Sequence, residues 1–363
     1  MHREEQQSSR RNFLKQGAQA TAGAVMVGLG TSTAQGAEVQ PKKITFGDKL
    51  PTRLLGRTGV TLPMLGYGGA ALPKKWHNTL SYADRIKLVR HAYDSGIRFF
   101  DTSISYNYAE SQEIIGKALK PLRDNVFITT KVDFWDVTKP DGRWSKIPKG
   151  EALRQVKVNL KELGSDCIDA ILIHGTPGVQ QMTVEQNMEV HAELVKARDQ
   201  GLVRFVGFSA HGYFDKALAL IESGGFDVCM LSYGYVPRGH DQIFSPRMLE
   251  LREACLAAAH QRKMGIIAMK VVAAGMMGNW ASNVVPGTSA SLAKRLPEAC
   301  IRWTMKDERI DHLVIGMRDF PEVDRNIRTM AGDTTYTARD RSLLREFSGK
   351  VMKSDDIRKM KVE

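Results

Sequence analysis

Cysteine is scarce: Cys167, Cys229, Cys255 and Cys300 are the only four in 363 residues, and each stands alone. With no C-x-x-C pair and an apolar pattern around each, they read as buried free thiols, not as disulfides or a metal site. No basic run is interleaved with aromatics, although the formal charge is +12. That excess is spread among acids and describes a mildly basic, solvated surface and not a nucleic-acid-binding face. No apolar stretch is long enough and poor enough in glycine to span a membrane stably. A Gly-x-Gly-x-x-Gly turn is also missing, since Gly66-Tyr67-Gly68-Gly69-Ala70-Ala71 has the wrong spacing for a doubly wound dinucleotide fold. Nor does a carboxylate pair or ligand cluster stand out at the strand ends, as a barrel hydrolase would need. What is present, with 42% hydrophobic residues, is a globular chain with ample core for one large domain or two small ones.

The first 37 residues read as separate from the fold. Ser9-Arg10-Arg11-Asn12-Phe13-Leu14-Lys15 precedes an Ala- and Gly-rich apolar stretch, Ala18 to Leu29, and then the small-residue tract Thr33-Ala34-Gln35-Gly36-Ala37. This resembles a twin-arginine export signal, cleaved after Gly36 or Ala37. The resemblance implies folding before export, the twin-arginine translocase as a partner, and a periplasmic location.

Beyond a spacer, 43–46 and Thr52 to Leu55 read as a small hairpin. From there short apolar runs alternate with helical patterns. The strands are Met64–Tyr67, Arg98–Thr102, Val126–Val132, Ala170–His174, Arg204–Ser209, Val228–Tyr233, Gly265–Lys270 and His312–Met317. Uninterrupted apolar runs fit parallel strands buried on both faces. Eight strands and eight helices over about 270 residues predict an α/β fold, a (β/α)8 TIM barrel. The division expected is a signal segment (1–37), the barrel (38–335) and a C-terminal helical extension (336–363).

Strand C-termini of such a barrel converge on one mouth. Asp101, Lys131 and His174 end three consecutive strands, and Tyr106 follows in the loop after Asp101. A carbonyl oxygen that gains negative charge needs a proton donor. Tyrosine, with an ordinary pKa near 10, is a poor one at neutral pH. A lysine ammonium against the phenol lowers that pKa, a carboxylate holds the lysine charged, and a histidine orients the carbonyl.

These residues, within G-I-R-F-F-D-T-S-I-S-Y, F-I-T-T-K-V and N-L-K-E-L-G-S-D-C-I-D-A-I-L-I-H, resemble the aldo-keto reductase superfamily. So do G-L-V-R-F-V-G-F-S and V-I-G-M-R-D-F-P-E-V-D-R-N-I, and the likeness runs from about residue 50 to 332. It implies reduction of an aldehyde or ketone, or the reverse, with Tyr106 as general acid assisted by Lys131, Asp101 and His174. It also implies a nicotinamide cofactor over the mouth, NADP by family habit with NAD open, at Gly68, Gly69, Ser209, Tyr233, Lys270, Gly275, Arg318 and Asn326. No metal is implied. A-M-K-V-V-A-A-G (268–275) looks most like the branch that often carries ferredoxin-like cysteines, which are lacking here.

Departures fall at the cofactor. The usual Ser-Asn is Ser209-Ala210, the usual Gln is Met230, and the usual stacking aromatic is Met269. His211 is a substitute for the lost amide, and Arg318 and Arg325 are the cations available to a 2′-phosphate. Phe134, Trp135, Trp144, Tyr235 and Trp280, on long loops, are candidate contacts for an apolar carbonyl substrate. A nucleotide-binding sensor or accessory subunit on the same scaffold, with little turnover, is the competing reading.

Overall fold

A three-stranded sheet at the N-terminal side precedes the repeating units in this computed structural model, which describes residues 44–45, 49–105, 110–134 and 147–363. The export motif lies outside the described residues. In that first sheet, β2 (Thr52–Leu54) pairs antiparallel with β3 (Val60–Pro63), and β1 (Ile44–Thr45) pairs parallel with β3. The hairpin is therefore Thr52–Leu54 with Val60–Pro63, not with 43–46. Gly59 makes its turn at φ 73°, a left-handed backbone that glycine adopts without steric cost.

The barrel strands are β4 (Leu65–Gly68), β5 (Phe99–Asp101), β6 (Phe127–Val132), β7 (Ile168–Ile173), β8 (Val203–Ala210) and β9 (Val228–Ser232). After the short β10 (Gln242–Ile243) come β11 (Gly265–Met269) and β12 (His312–Ile315). All neighbouring barrel strands run parallel, and β12 closes on β4 through Leu313↔Leu65, Val314↔Gly66 and Ile315↔Tyr67. The closed barrel excludes the open doubly wound sheet.

Side chains alternate across each strand, so two cores form. Phe99, Phe127, Leu172, Met230, Ile267 and Val314 pack inside the barrel, with Leu55, Val60 and Leu62 of the hairpin plugging its lower end. Phe99 and Phe127 meet edge to face at 5.8 Å. Truncating such a ring to alanine costs about 3–5 kcal/mol. Their neighbours Phe100, Ile128, Ile171 and Leu231 face the opposite way, into the layer between strands and helices. The four cysteines are buried and unbridged, as their isolation predicts.

The helices are α1 (Tyr82–Asp94), α2 (Glu110–Leu119), α3 (Glu151–Leu163), α4 (Val184–Asp199), α5 (Phe214–Glu222), α6 (Pro246–Gln261), α7 (Ala281–Val284), α8 (Ala290–Met305) and α9 (Phe320–Ala331). Side-chain caps start several of them. Asp319 accepts the Glu322 amide at 2.7 Å, which fixes where α9 leaves the loop after β12. The extension forms α10 (Ala338–Val351) and α11 (Asp355–Arg358), then β13 (Lys361–Val362), which pairs with β10. Arg302 of α8 grips Asp340 of α10 with two bonds of 2.9 and 2.7 Å. No helix among the described residues is long and apolar enough to cross a membrane.

Candidate active site and dinucleotide groove

Asp101 sits opposite Thr129 in the β5–β6 register, and Lys131 lies two residues further on the same inward face. Strand alternation therefore brings the three together. Lys131 Nζ donates to Asp101 Oδ1 at 2.6 Å and to the Thr102 carbonyl at 2.7 Å, while Thr129 Oγ1 donates to the same Asp101 oxygen at 2.7 Å. Asp101 is 4% exposed and Lys131 only 1%. Burial lowers the Lys131 pKa, and the Asp101 carboxylate opposes that fall. His174 reaches the mouth from β7, with Nδ1 3.4 Å from Ser105 Oγ and 3.5 Å from an Asp133 carboxylate oxygen. So Asp101, Lys131 and His174 converge as the sequence predicts. Tyr106, Trp135 and Trp144 lie outside the described residues.

A cavity of about 650 Å³ opens above them. Its deep end is lined by Asp101, Met230, Met269 and His211, and its far end by Arg318, Arg325 and Asn326. Between these ends run Gly68, Lys270 and Gly275. Both methionines are thus barrel core and cavity wall at once. At the far end the Nε atoms of Arg318 and Arg325 and Oδ1 of Asn326 are buried without hydrogen-bond partners. Buried polar atoms are ordinarily paired, so three orphans in one wall mark a place where a polar ligand completes the bonding. The wall is tightly packed here: a Cβ on Gly68 would lie 2.9 Å from the Gly316 amide, and one on Gly316 2.9 Å from Ala71, so neither position has room for a side chain. The residues present fit a dinucleotide.

The segment after β11 is unusual. Lys270, Ala273, Ala274 and Gly275 have φ of 59°, 48°, 53° and 95°. Three non-glycine residues in the left-handed region cost of order 1–3 kcal/mol each, and such strain gathers at ligand sites. It turns Lys270 back over the cavity. Burial, with Arg238 nearby, pushes its ammonium down to about 7.

Several expected contacts fall elsewhere. Tyr233 follows the inward Ser232 and so faces outward. Its hydroxyl donates to Asp307 at 2.8 Å and its ring stacks on Trp303 at 5.0 Å. Tyr235 meets Trp303 edge to face at 5.6 Å in the same outer cluster. Phe134 is fully buried in the layer under the helices. Trp280 is 39% exposed, with its ring 5.4 Å from that of His77 at the groove's edge. Gly69 backs the wall beneath Ser111, which donates to its carbonyl at 2.9 Å, and Ser209 Oγ accepts the Gly175 amide at 2.8 Å. Thr129 and Asp133 were not anticipated, although each sits two residues from Lys131 and so shares its face.

The sequence model of the Aldo/keto reductase family matches residues 64–347. An L-galactose dehydrogenase of Arabidopsis thaliana is 24% identical over 302 residues, 77% of this chain and 88% of that protein. Among solved structures, the holo form of aldo-keto reductase AKR11C1 from Bacillus halodurans superposes with a TM-score of 0.62 at 18% identity, covering 82% of this chain and 96% of that one. An aldo-keto reductase from Klebsiella pneumoniae in complex with NADPH gives 0.60 at 15% identity, covering 82% and 95%. This chain belongs to the aldo/keto reductase family.

Proposed function

We propose that the protein is an exported, NADP-dependent carbonyl reductase, working on an aldehyde or ketone or in the reverse direction. One observation carries the reading. A buried Asp101–Lys131 pair stands at the deep end of a cavity whose far end presents Arg318, Arg325 and Asn326 with unpartnered buried atoms. When bound, the reduced nicotinamide supplies hydride to the carbonyl carbon. Asp101 holds the Lys131 ammonium in place and charged, against a burial cost that would otherwise favour the neutral amine. Lys131 in turn favours the phenolate of Tyr106, five residues beyond Asp101 in sequence, so that Tyr106 gives its proton to the carbonyl oxygen. His174 orients that oxygen, and Asp133 and Ser105 orient His174. Arg318 and Arg325 hold phosphate and Asn326 the adenine end. Membership of the ferredoxin-tailed branch and twin-arginine export to the periplasm belong to the same proposal and rest on sequence motifs.

The test is to purify the protein, release and identify any bound nucleotide, and follow loss of reduced-cofactor absorbance with NADPH or NADH and a panel of aldehydes, ketones and quinones. Turnover with at least one carbonyl is expected. Bound nucleotide with no turnover for any of them would favour the sensor reading instead.

A further inference from the structure

Helix α3 (Glu151–Leu163) packs on the barrel with a face that is not wholly apolar. Its buried residues are Ala152, Gln155, Val156, Asn159 and Leu163, so two amides share that face one turn apart. Leucine at either place would bury apolar surface with no polar atom to satisfy. Both amides instead serve the backbone at the end of β6. Asn159 Nδ2 donates to the Lys131 carbonyl at 3.0 Å. Gln155 Nε2 donates to the Asp133 carbonyl at 2.8 Å, and Gln155 Oε1 accepts the Asp133 amide at 2.7 Å.

The neighbouring strand explains why these groups need partners. β5 ends at Asp101, opposite Thr129, and the Thr102 amide just beyond it donates to the Thr129 carbonyl at 2.9 Å. Alternate residues of a strand turn their peptide groups to the same neighbour, so the next groups on that edge belong to Lys131 and Asp133. There the side chains of α3 take the place of β5. Four helical residues rise about 6 Å and two strand residues about 6.6 Å, which matches Gln155 to Asp133 and Asn159 to Lys131 in antiparallel order. The amides are themselves fixed. Asn159 Oδ1 accepts from Gln112 Nε2 of α2 at 2.9 Å, Gln112 Oε1 accepts the Thr130 hydroxyl, and Gln155 Nε2 also donates to Glu151 at 2.9 Å. The two residues held this way carry working side chains: Lys131 on Asp101 at 2.6 Å, and Asp133 at 3.5 Å from His174.

We infer that Gln155 and Asn159 are positioning residues for the reduction: by bonding the β6 backbone at Asp133 and Lys131, they set where the Asp133 carboxylate and the Lys131 ammonium stand. This deepens the reductase reading and rests on it. Neither amide lines the cavity. Asn159 acts through Lys131, and Gln155 acts through Asp133 on His174. Groups at a reaction centre must be held within about 0.5 Å of their productive geometry, and a strand end without its edge partner loses that precision.

The test uses Gln155→Met and Asn159→Leu, which keep the side-chain volume and remove the bonds. Each is expected to lower kcat/KM for the carbonyl about tenfold or more, since a misplacement of about 1 Å can cost a hundredfold. The Kd for NADPH, from fluorescence titration, is expected to stay unchanged. Double-mutant cycles separate positioning from stability alone. Asn159→Leu should cost little further rate in the Lys131→Met protein, and Gln155→Met little further in Asp133→Asn, while both still lower the unfolding free energy. Rates that fall additively, or in step with NADPH binding, would overturn the inference. Crystal structures of the variants decide the geometry without turnover. The Lys131 Nζ–Asp101 Oδ1 contact is expected to lengthen from 2.6 Å in Asn159→Leu, and the Asp133–His174 contact from 3.5 Å in Gln155→Met. Contacts left as they are would also overturn it. If Asn159→Leu fails to fold, Gln155→Met carries the same comparisons. If the wild type reduces no carbonyl, the reductase reading falls, and the crystal structures still decide whether α3 holds Lys131 and Asp133.

Discussion

Lys131 Nζ lies 2.6 Å from Asp101 Oδ1 with both side chains almost wholly removed from water. Removing one partner of such a pair leaves a lone buried charge, costing about 3–5 kcal/mol, whereas replacing both can be close to neutral. We therefore expect Lys131→Met to lower both the unfolding free energy and kcat. Adding Asp101→Asn should recover much of the stability and none of the activity. Urea unfolding and steady-state rates on the same preparations check this, and parallel recovery of the two would contradict separate structural and chemical roles.

Arg318 and Arg325 are the cations assigned to the phosphates. Arg318→Ala is expected to raise KM for NADPH about tenfold or more while changing KM for NADH less, because a phosphate contact is charge-assisted and NADH lacks the 2′-phosphate. Equal effects on both cofactors would move Arg318 away from that phosphate.

Lys270 carries a stability cost with a defined sign. Its pKa falls from about 10.4 in the unfolded chain to about 7 in the fold. Between these values the unfolded chain binds more protons, so this group makes native stability rise with pH across that window, and its cost is fully present below 7. Arg238 beside it adds to the cost of burial. Lys270→Met should raise the melting temperature of the ligand-free protein most near pH 6.5 and least near pH 10. A drop at both pH values in thermal scans would show that the ammonium is satisfied.

Asp340 is held down to about 2, where burial is outweighed by the bonds from Arg302 and Thr337. Its stabilising contribution is present above about pH 4 and lost as pH falls toward 2. Asp340→Asn should loosen α10 from α8, costing about 1–3 kcal/mol, and speed amide exchange in Ala338–Val351 specifically. Uniform exchange across the barrel would contradict local docking.

Sequence periodicity revealed the barrel because eight apolar runs recur with helical spacing between them. It revealed Asp101, Lys131 and His174 because each ends a strand on the inward parity. Tyr233 and Phe134 lie in the outer layer for the same reason in reverse. They sit one residue beyond the inward Ser232 and Asp133, so alternation turns them into the outer layer, and parity counted along each strand would have found this. Lys270 breaks that rule, since it follows the inward Met269 yet returns to the cavity through a positive φ that no side-chain pattern encodes. The alternation of His174, His211 and His240 around the mouth depends on three separate loops, and only the closed barrel brings them into a row.

The most direct test of the account is the rate of NADPH-dependent carbonyl reduction by Tyr106→Phe, measured beside the wild type on the best substrate found. A fall of at least about a hundredfold in kcat, the scale for losing a general acid, with the affinity for NADPH unchanged, is the result expected. A Tyr106→Phe protein that turns over at the wild-type rate would contradict proton delivery by Tyr106 and with it the role assigned to the Asp101–Lys131 pair.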